Sequence, residues 1–124
     1  MENKTFKLFT YGTLMKGECN EHLLKEARFL GKATTKPMYK LFRIDGNFVF
    51  PAIIDTGDTA VSGEVYEVPM SALPSMDRME GHPNFYRRQS VELTEMKDAV
   101  AYFFVDKDSL KQYPEIKSGD WLKR

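Results

Sequence analysis

The residue best placed to do chemistry in this sequence is Glu80, in the segment Met76-Asp77-Arg78-Met79-Glu80-Gly81. Counting 100° per residue from Leu73, Met76 falls at about 300° and Glu80 at about 340°, so the carboxylate shares the face that apolar residues turn to the core. Burial disfavours the charged form, raises the pKa and leaves a base suited to moving a proton near neutrality. The bland alternative is a Glu in a fraying last turn, open to water. Asp77, at about 40°, reads as a flanking surface or hydrogen-bonding residue.

A second candidate is the loop Tyr11-Gly12-Thr13-Leu14-Met15-Lys16-Gly17. Glycines at both ends permit a tight turn with unpaired N–H groups, which can cradle a carboxylate or an oxyanion. An ordinary turn after a strand has the same composition. Phe85-Tyr86-Arg87-Arg88 could stack on a nucleic acid, but a packed Tyr86 and two solvated arginines are the simpler expectation. Met70, Met76 and Met79 read as core filler. His22, His82 and Cys19 lack metal-ligand spacing, and Cys19 reads as a small packing residue; no phosphate-binding or dinucleotide glycine fingerprint is present.

The elements that must hold these residues follow from pattern. Strands are expected over 5–11, 38–44, 48–54, 62–68, 89–93 and 99–105, and helices over 18–29 and 71–80. Ser71 is the expected N-cap of the second helix, with Pro74 tolerated in its first turn; Gly31 and Gly81 are the expected stops. Turns are expected at 45–47 and 55–58, and the tail 106–124 carries apolar anchors at Tyr113, Ile116 and Trp121. About six strands in consecutive runs with two helices give an α+β class, and the strands most easily bury their faces by curling into a barrel.

The 124 residues fit one domain, 1–124, and 18 basic against 18 acidic residues leave no net charge to attract a nucleic acid or an anionic membrane. Apolar runs are too short to span a bilayer, no secretory leader is evident, and the single Cys suits a reducing cytoplasm.

Taken in order, Tyr11-Gly12-Thr13-Leu14, Phe50-Pro51-Ala52-Ile53, Gly63-Glu64-Val65-Tyr66, Met76-Asp77-Arg78-Met79-Glu80-Gly81, Tyr86-Arg87-Arg88 and Ser118-Gly119-Asp120-Trp121 resemble the gamma-glutamylcyclotransferase-like family, in particular its small gamma-glutamylamine cyclotransferase-type members. Each piece is weak alone; the ordered set, spanning nearly the whole chain, is specific. The resemblance implies a small mixed β-barrel flanked by short helices, with a cavity at one end. It implies a small gamma-glutamyl substrate whose own α-amine closes 5-oxoproline and releases an amine, without metal or organic cofactor. Glu80 is then the general acid/base, Tyr11, Gly12, Thr13 and Leu14 hold the glutamyl portion, and Tyr86 contacts substrate. Many relatives have Leu where Met76 stands, a volume-conserving change. The alternative is a non-catalytic protein that uses the same pocket to hold a small carboxylate or glutamyl metabolite.

Overall fold

A computed structural model describes residues 4–12, 26–46 and 49–123. Seven strands and one α-helix form among them: β1 (Thr5–Thr10), β2 (Arg28–Thr34), β3 (Tyr39–Ile44), β4 (Phe50–Thr59), β5 (Ser62–Pro69), α1 (Leu73–Glu80), β6 (Tyr86–Val91) and β7 (Ala99–Phe104). Single turns of 3-10 helix cover Met70–Ala72 and Trp121–Lys123, and a longer one covers Lys107–Gln112. None of the described helices is long and apolar enough to cross a membrane.

Five strands make one sheet in the order β2-β5-β1-β7-β6, antiparallel except for the β1–β7 pair. Its two edges meet just beyond β2 and β6. There Thr35 and Leu93 form an isolated antiparallel bridge, flanked by Thr94 N–H to Thr34 O at 2.9 Å and Lys36 N–H to Glu92 O at 3.0 Å. Edge strands of one sheet can touch only if the sheet has curled round, so the architecture is barrel-like, joined at that point by a bridge rather than a continuous ladder. The β3–β4 ribbon is separate in hydrogen bonding and packs on β7 through β4. The chain after the Lys107–Gln112 turn runs beside β3, with Arg43 N–H to Pro114 O at 3.0 Å and Ile116 N–H to Leu41 O at 2.7 Å.

Alternation explains why the strand segments read as near-continuous apolar runs. On β7, Ala99, Ala101 and Phe103 enter one core with Phe9, Val65 and Trp121, while Tyr102 and Phe104 enter a second with Leu8, Tyr66 and Met76. Both faces of the sheet are therefore covered. Ile116 and Trp121 are buried as expected, Tyr113 is half-buried, and Leu110 is an additional anchor.

Several expectations need correction. The chain has seven described strands rather than six, because Arg28 and Phe29, expected to end the first helix, open β2. Pairing overrides helical spacing here: Phe29 lies opposite Tyr66, with their rings edge-to-face at 5.5 Å. Gly31 is no helix stop but sits at a bulge that leaves Leu30 without a register partner. Glu26 and Ala27, also expected to be helical, form a turn and a bend, and residues 18–25 of that expected helix, with Cys19 and His22, lie outside the described residues. The expected turn at 55–58 falls within β4, where the register jumps from Tyr39↔Thr59 to Lys40↔Ile54 and those four residues bulge out of the ladder. β6 starts at Tyr86 and stops at Val91, because its pairing with β7 begins at Tyr86↔Phe104. Ser71 does not cap α1: the N-cap is Ala72, with no side-chain bond, and Ser71 belongs to the preceding 3-10 turn.

One close approach ties β1 to β5. A Cβ on Gly63 would stand 2.1 Å from the Thr10 carbonyl oxygen and 2.7 Å from the Phe9 ring, contacts that backbone cannot yield. Gly63→Ala is therefore expected to cost about 2 kcal/mol or more through overpacking. Urea unfolding of the variant against the wild type measures it.

Candidate active site

Glu80 is the last residue of α1, and three features hold it there. Met76, one turn earlier, is buried in the core on the same helix face. Gly81 adopts a left-handed conformation (φ 67°), its N–H reaching Arg78 O at 3.2 Å while His82 N–H reaches Asp77 O at 2.9 Å. That pair of bonds is a Schellman closure, which satisfies the final carbonyls and opposes fraying. Asp77 then fixes the helix to the sheet: its carboxylate pairs with Arg88 of β6 and accepts from Tyr102 Oη of β7 at 2.7 Å. Burial pushes the Asp77 carboxyl up, but the hydrogen bonds from Arg88 and Tyr102 outweigh it and hold the pKa below the usual range. Asp77 is thus the hydrogen-bonding residue expected, whereas Arg88 is not simply solvated. Its guanidinium is bound, and its N–H donates to His82 Nδ1 at 3.0 Å; Arg87 is exposed.

The side chain of Glu80 opens onto a cavity of about 280 Å³ at the end of the sheet where β1 stops. Tyr11 and Gly12 line it from the chain after β1, Pro51 from β4, Tyr86 from β6 and Tyr102 from β7. The structure thus brings together Tyr11, Gly12, Glu80 and Tyr86 of the expected site; Thr13 and Leu14 lie outside the described residues. Gly12 is required by contact, because a Cβ there would lie 2.1 Å from Pro51 Cγ. Both tyrosines are locked: Tyr86 Oη donates to Pro51 O and Tyr11 Oη to Tyr102 O, each at 2.5 Å. The carbonyl acceptors leave each hydroxyl proton committed and each ring fixed.

Electrostatics single out Glu80 among these groups. Burial pushes its pKa up to about 7. Burial also raises Tyr86, with the Glu80 charge adding to the effect, and raises Tyr11 well above the ordinary phenol value, with Tyr86 and Glu80 adding to that. Near neutrality the tyrosines are therefore neutral donors, and Glu80 is the group that changes charge. Among the described residues no cluster of His, Cys, Asp and Glu could hold a metal ion.

Sequence reasoning passed over Pro51 and Tyr102. Tyr102 is the polar member of the 100, 102, 104 face of an otherwise apolar strand, which is the one signal that could have marked it. Pro51 contributes a carbonyl, which side-chain type does not advertise.

Comparison with known proteins agrees with this fold. The family model described as gamma-glutamyl cyclotransferase, AIG2-like, matches residues 8–123. A Vibrio cholerae protein provisionally named a gamma-glutamylcyclotransferase is 33% identical, over 94% of this chain and 96% of its own length. Gamma-glutamylaminecyclotransferase C of Danio rerio is 32% identical, over 97% of this chain and 82% of its own. A mouse AIG2-like protein of known crystal structure superposes with a TM-score of 0.79 at 26% identity, covering 94% of this chain and 88% of that one. The chain belongs to the gamma-glutamyl cyclotransferase, AIG2-like family. It is an enzyme of the gamma-glutamylcyclotransferase type, and the non-catalytic alternative is not favoured.

The raised Glu80 pKa is also a statement about stability. The carboxyl is held protonated by burial in the folded chain, with a pKa of about 7 against an ordinary 4.5. Its contribution is fully present below the unfolded pKa and is lost as pH rises through 7. Glu80→Gln removes that loss, so the variant gains on the wild type by about 1–2 kcal/mol between pH 4.5 and pH 8. Thermal midpoints of both proteins across that range test it; parallel curves would contradict it.

Proposed function

We propose that the protein converts a gamma-glutamyl amine or small gamma-glutamyl amide into 5-oxoproline and a free amine, with Glu80 as the single proton carrier. The reading is carried by one observation: a carboxylate with a pKa of about 7 opens onto a cavity together with Tyr11, Gly12 and Tyr86. The substrate enters with its α-amine protonated. Glu80, ionised, takes one proton from that ammonium, and the freed nitrogen lone pair attacks the γ-carbonyl carbon. A five-membered ring closes, and the carbonyl oxygen becomes an oxyanion. Glu80 next gives its proton to the nitrogen of the scissile amide. The oxyanion collapses, the bond from carbon to that nitrogen breaks, and Glu80 carries the second proton from the ring nitrogen to the leaving amine, which departs as an ammonium beside 5-oxoproline. Proton count is conserved, Glu80 returns to its starting charge, and no water is consumed.

Each remaining residue has a role in this scheme. Gly12, with Thr13 and Leu14 that follow it in sequence, holds the glutamyl carboxylate and the oxyanion in this scheme. Tyr86 and Tyr11 wall the pocket and keep water from Glu80. Since nucleophile and electrophile belong to one molecule, folding the glutamyl chain into the reactive conformation accounts for much of the acceleration.

Glu80→Gln keeps size and most hydrogen bonding but cannot carry a proton. Turnover of gamma-glutamyl compounds, assayed as 5-oxoproline, is expected to fall about 10² to 10⁴-fold while ligand binding survives. In the wild type, kcat/KM is expected to rise with pH through a midpoint of about 7 as Glu80 ionises. Undiminished turnover in the variant would rule out the mechanism.

A further inference from the structure

The cavity has two kinds of wall. Tyr11, Gly12 and Glu80 supply a polar end, while Phe50, Phe85 and Met79 form an apolar rim. Phe85 is 49% exposed and Met79 43%. Single exposed apolar side chains need no explanation, but a group gathered on one cavity does. Phe85 is held in place rather than loosely displayed. Its ring stands edge-on to Tyr86 (centroids 5.2 Å, 80°) and to Phe104 (5.2 Å, 81°), and tilted against Phe50 (6.0 Å, 46°). Its N–H donates to Gly81 O at 2.8 Å, and its carbonyl accepts from Val105 N–H at 3.1 Å. An aromatic shelf supported from beneath and fixed at both backbone groups is preorganised to receive an apolar partner. Charge points the same way: Glu80 is the charged residue among the described lining residues, and no Lys or Arg is among them.

We propose that this rim is the subsite for the leaving amine, and that it selects an uncharged alkyl or arylalkyl amine over an amino acid. The inference rests on the cyclotransferase reading for which end of the substrate lies at Glu80. With the glutamyl portion at the Gly12 end and the scissile nitrogen beside Glu80, the leaving group extends over Phe85, Phe50 and Met79. A phenyl or aliphatic group there loses water against apolar surface and meets a ring edge or face. A carboxylate on the leaving group meets no described cation and lies near Glu80, so it is desolvated without compensation.

Two ligands that share the glutamyl portion test this: gamma-glutamyl-2-phenylethylamide and gamma-glutamylglycine. Affinities are measured by calorimetry on Glu80→Gln, and kcat/KM on the wild type by 5-oxoproline release. The phenylethylamide is expected to bind about tenfold more tightly or better. Phe85→Leu and the exposed-site Met79→Ala are each expected to reduce that preference about threefold, with thermal midpoints confirming that both variants fold. Equal affinities, a preference for the glycine compound, binding of neither, or a preference untouched by both variants would overturn the subsite. If the affinity preference holds but neither compound yields 5-oxoproline, the subsite stands and the cyclotransferase reading falls.

Discussion

A carboxylate that sits partly out of water, with no cation among the described residues that line its cavity, costs free energy, and the surrounding structure is organised around keeping Glu80 in that position. The helix could relieve the cost by unwinding its last turn and letting the side chain swing into solvent. The left-handed Gly81 and the two backbone bonds that close the turn prevent this, and so does the Asp77 clamp to Arg88 and Tyr102. Two carboxylates three residues apart are thereby given opposite environments. Asp77 is stabilised as an anion by the cation and hydroxyl that hold it, and Glu80 is destabilised as one by burial. Their separate pKa directions divide the labour between anchoring the helix and moving a proton.

The sheet makes this arrangement possible because both its faces are buried. Tyr102 and Phe104 point toward the helix side while Ala101 and Phe103 fill the other core, so one strand both packs the interior and supplies the Asp77 anchor. The two locked tyrosines extend the same economy. Each uses its hydroxyl to bind a strand carbonyl, Pro51 O for Tyr86 and Tyr102 O for Tyr11. Their rings are left as rigid walls of the cavity.

Local pattern made much of this visible in advance. The strands around Leu8, Leu41, Val65 and Ala101 announce themselves by β-branched and aromatic runs, and Gly81 followed by His82-Pro83 marks the end of α1. Helical phase alone put Glu80 on the buried side. What could not be read was non-local. Phe29 looks helical by spacing until Tyr66 is placed opposite it, and residues 55–58 look like a turn until Tyr39 and Thr59 are paired around them. Arg88 looks solvated until Asp77 arrives from eleven residues earlier. Such partners are chosen by the tertiary fold, and local propensity yields to them. The ordered family motifs carried the functional assignment further than any single residue could.

The central claim is that burial shifts Glu80 into the neutral range. Carboxyl carbon NMR of protein labelled at its glutamate side chains, titrated from pH 3 to pH 9 with Glu80→Gln to assign the signal, measures this directly. A Glu80 midpoint of about 7 is predicted. A midpoint at the ordinary glutamate value of 4.5 would mean that the carboxylate is solvated like any surface acid, and the account of the site built on it would be contradicted.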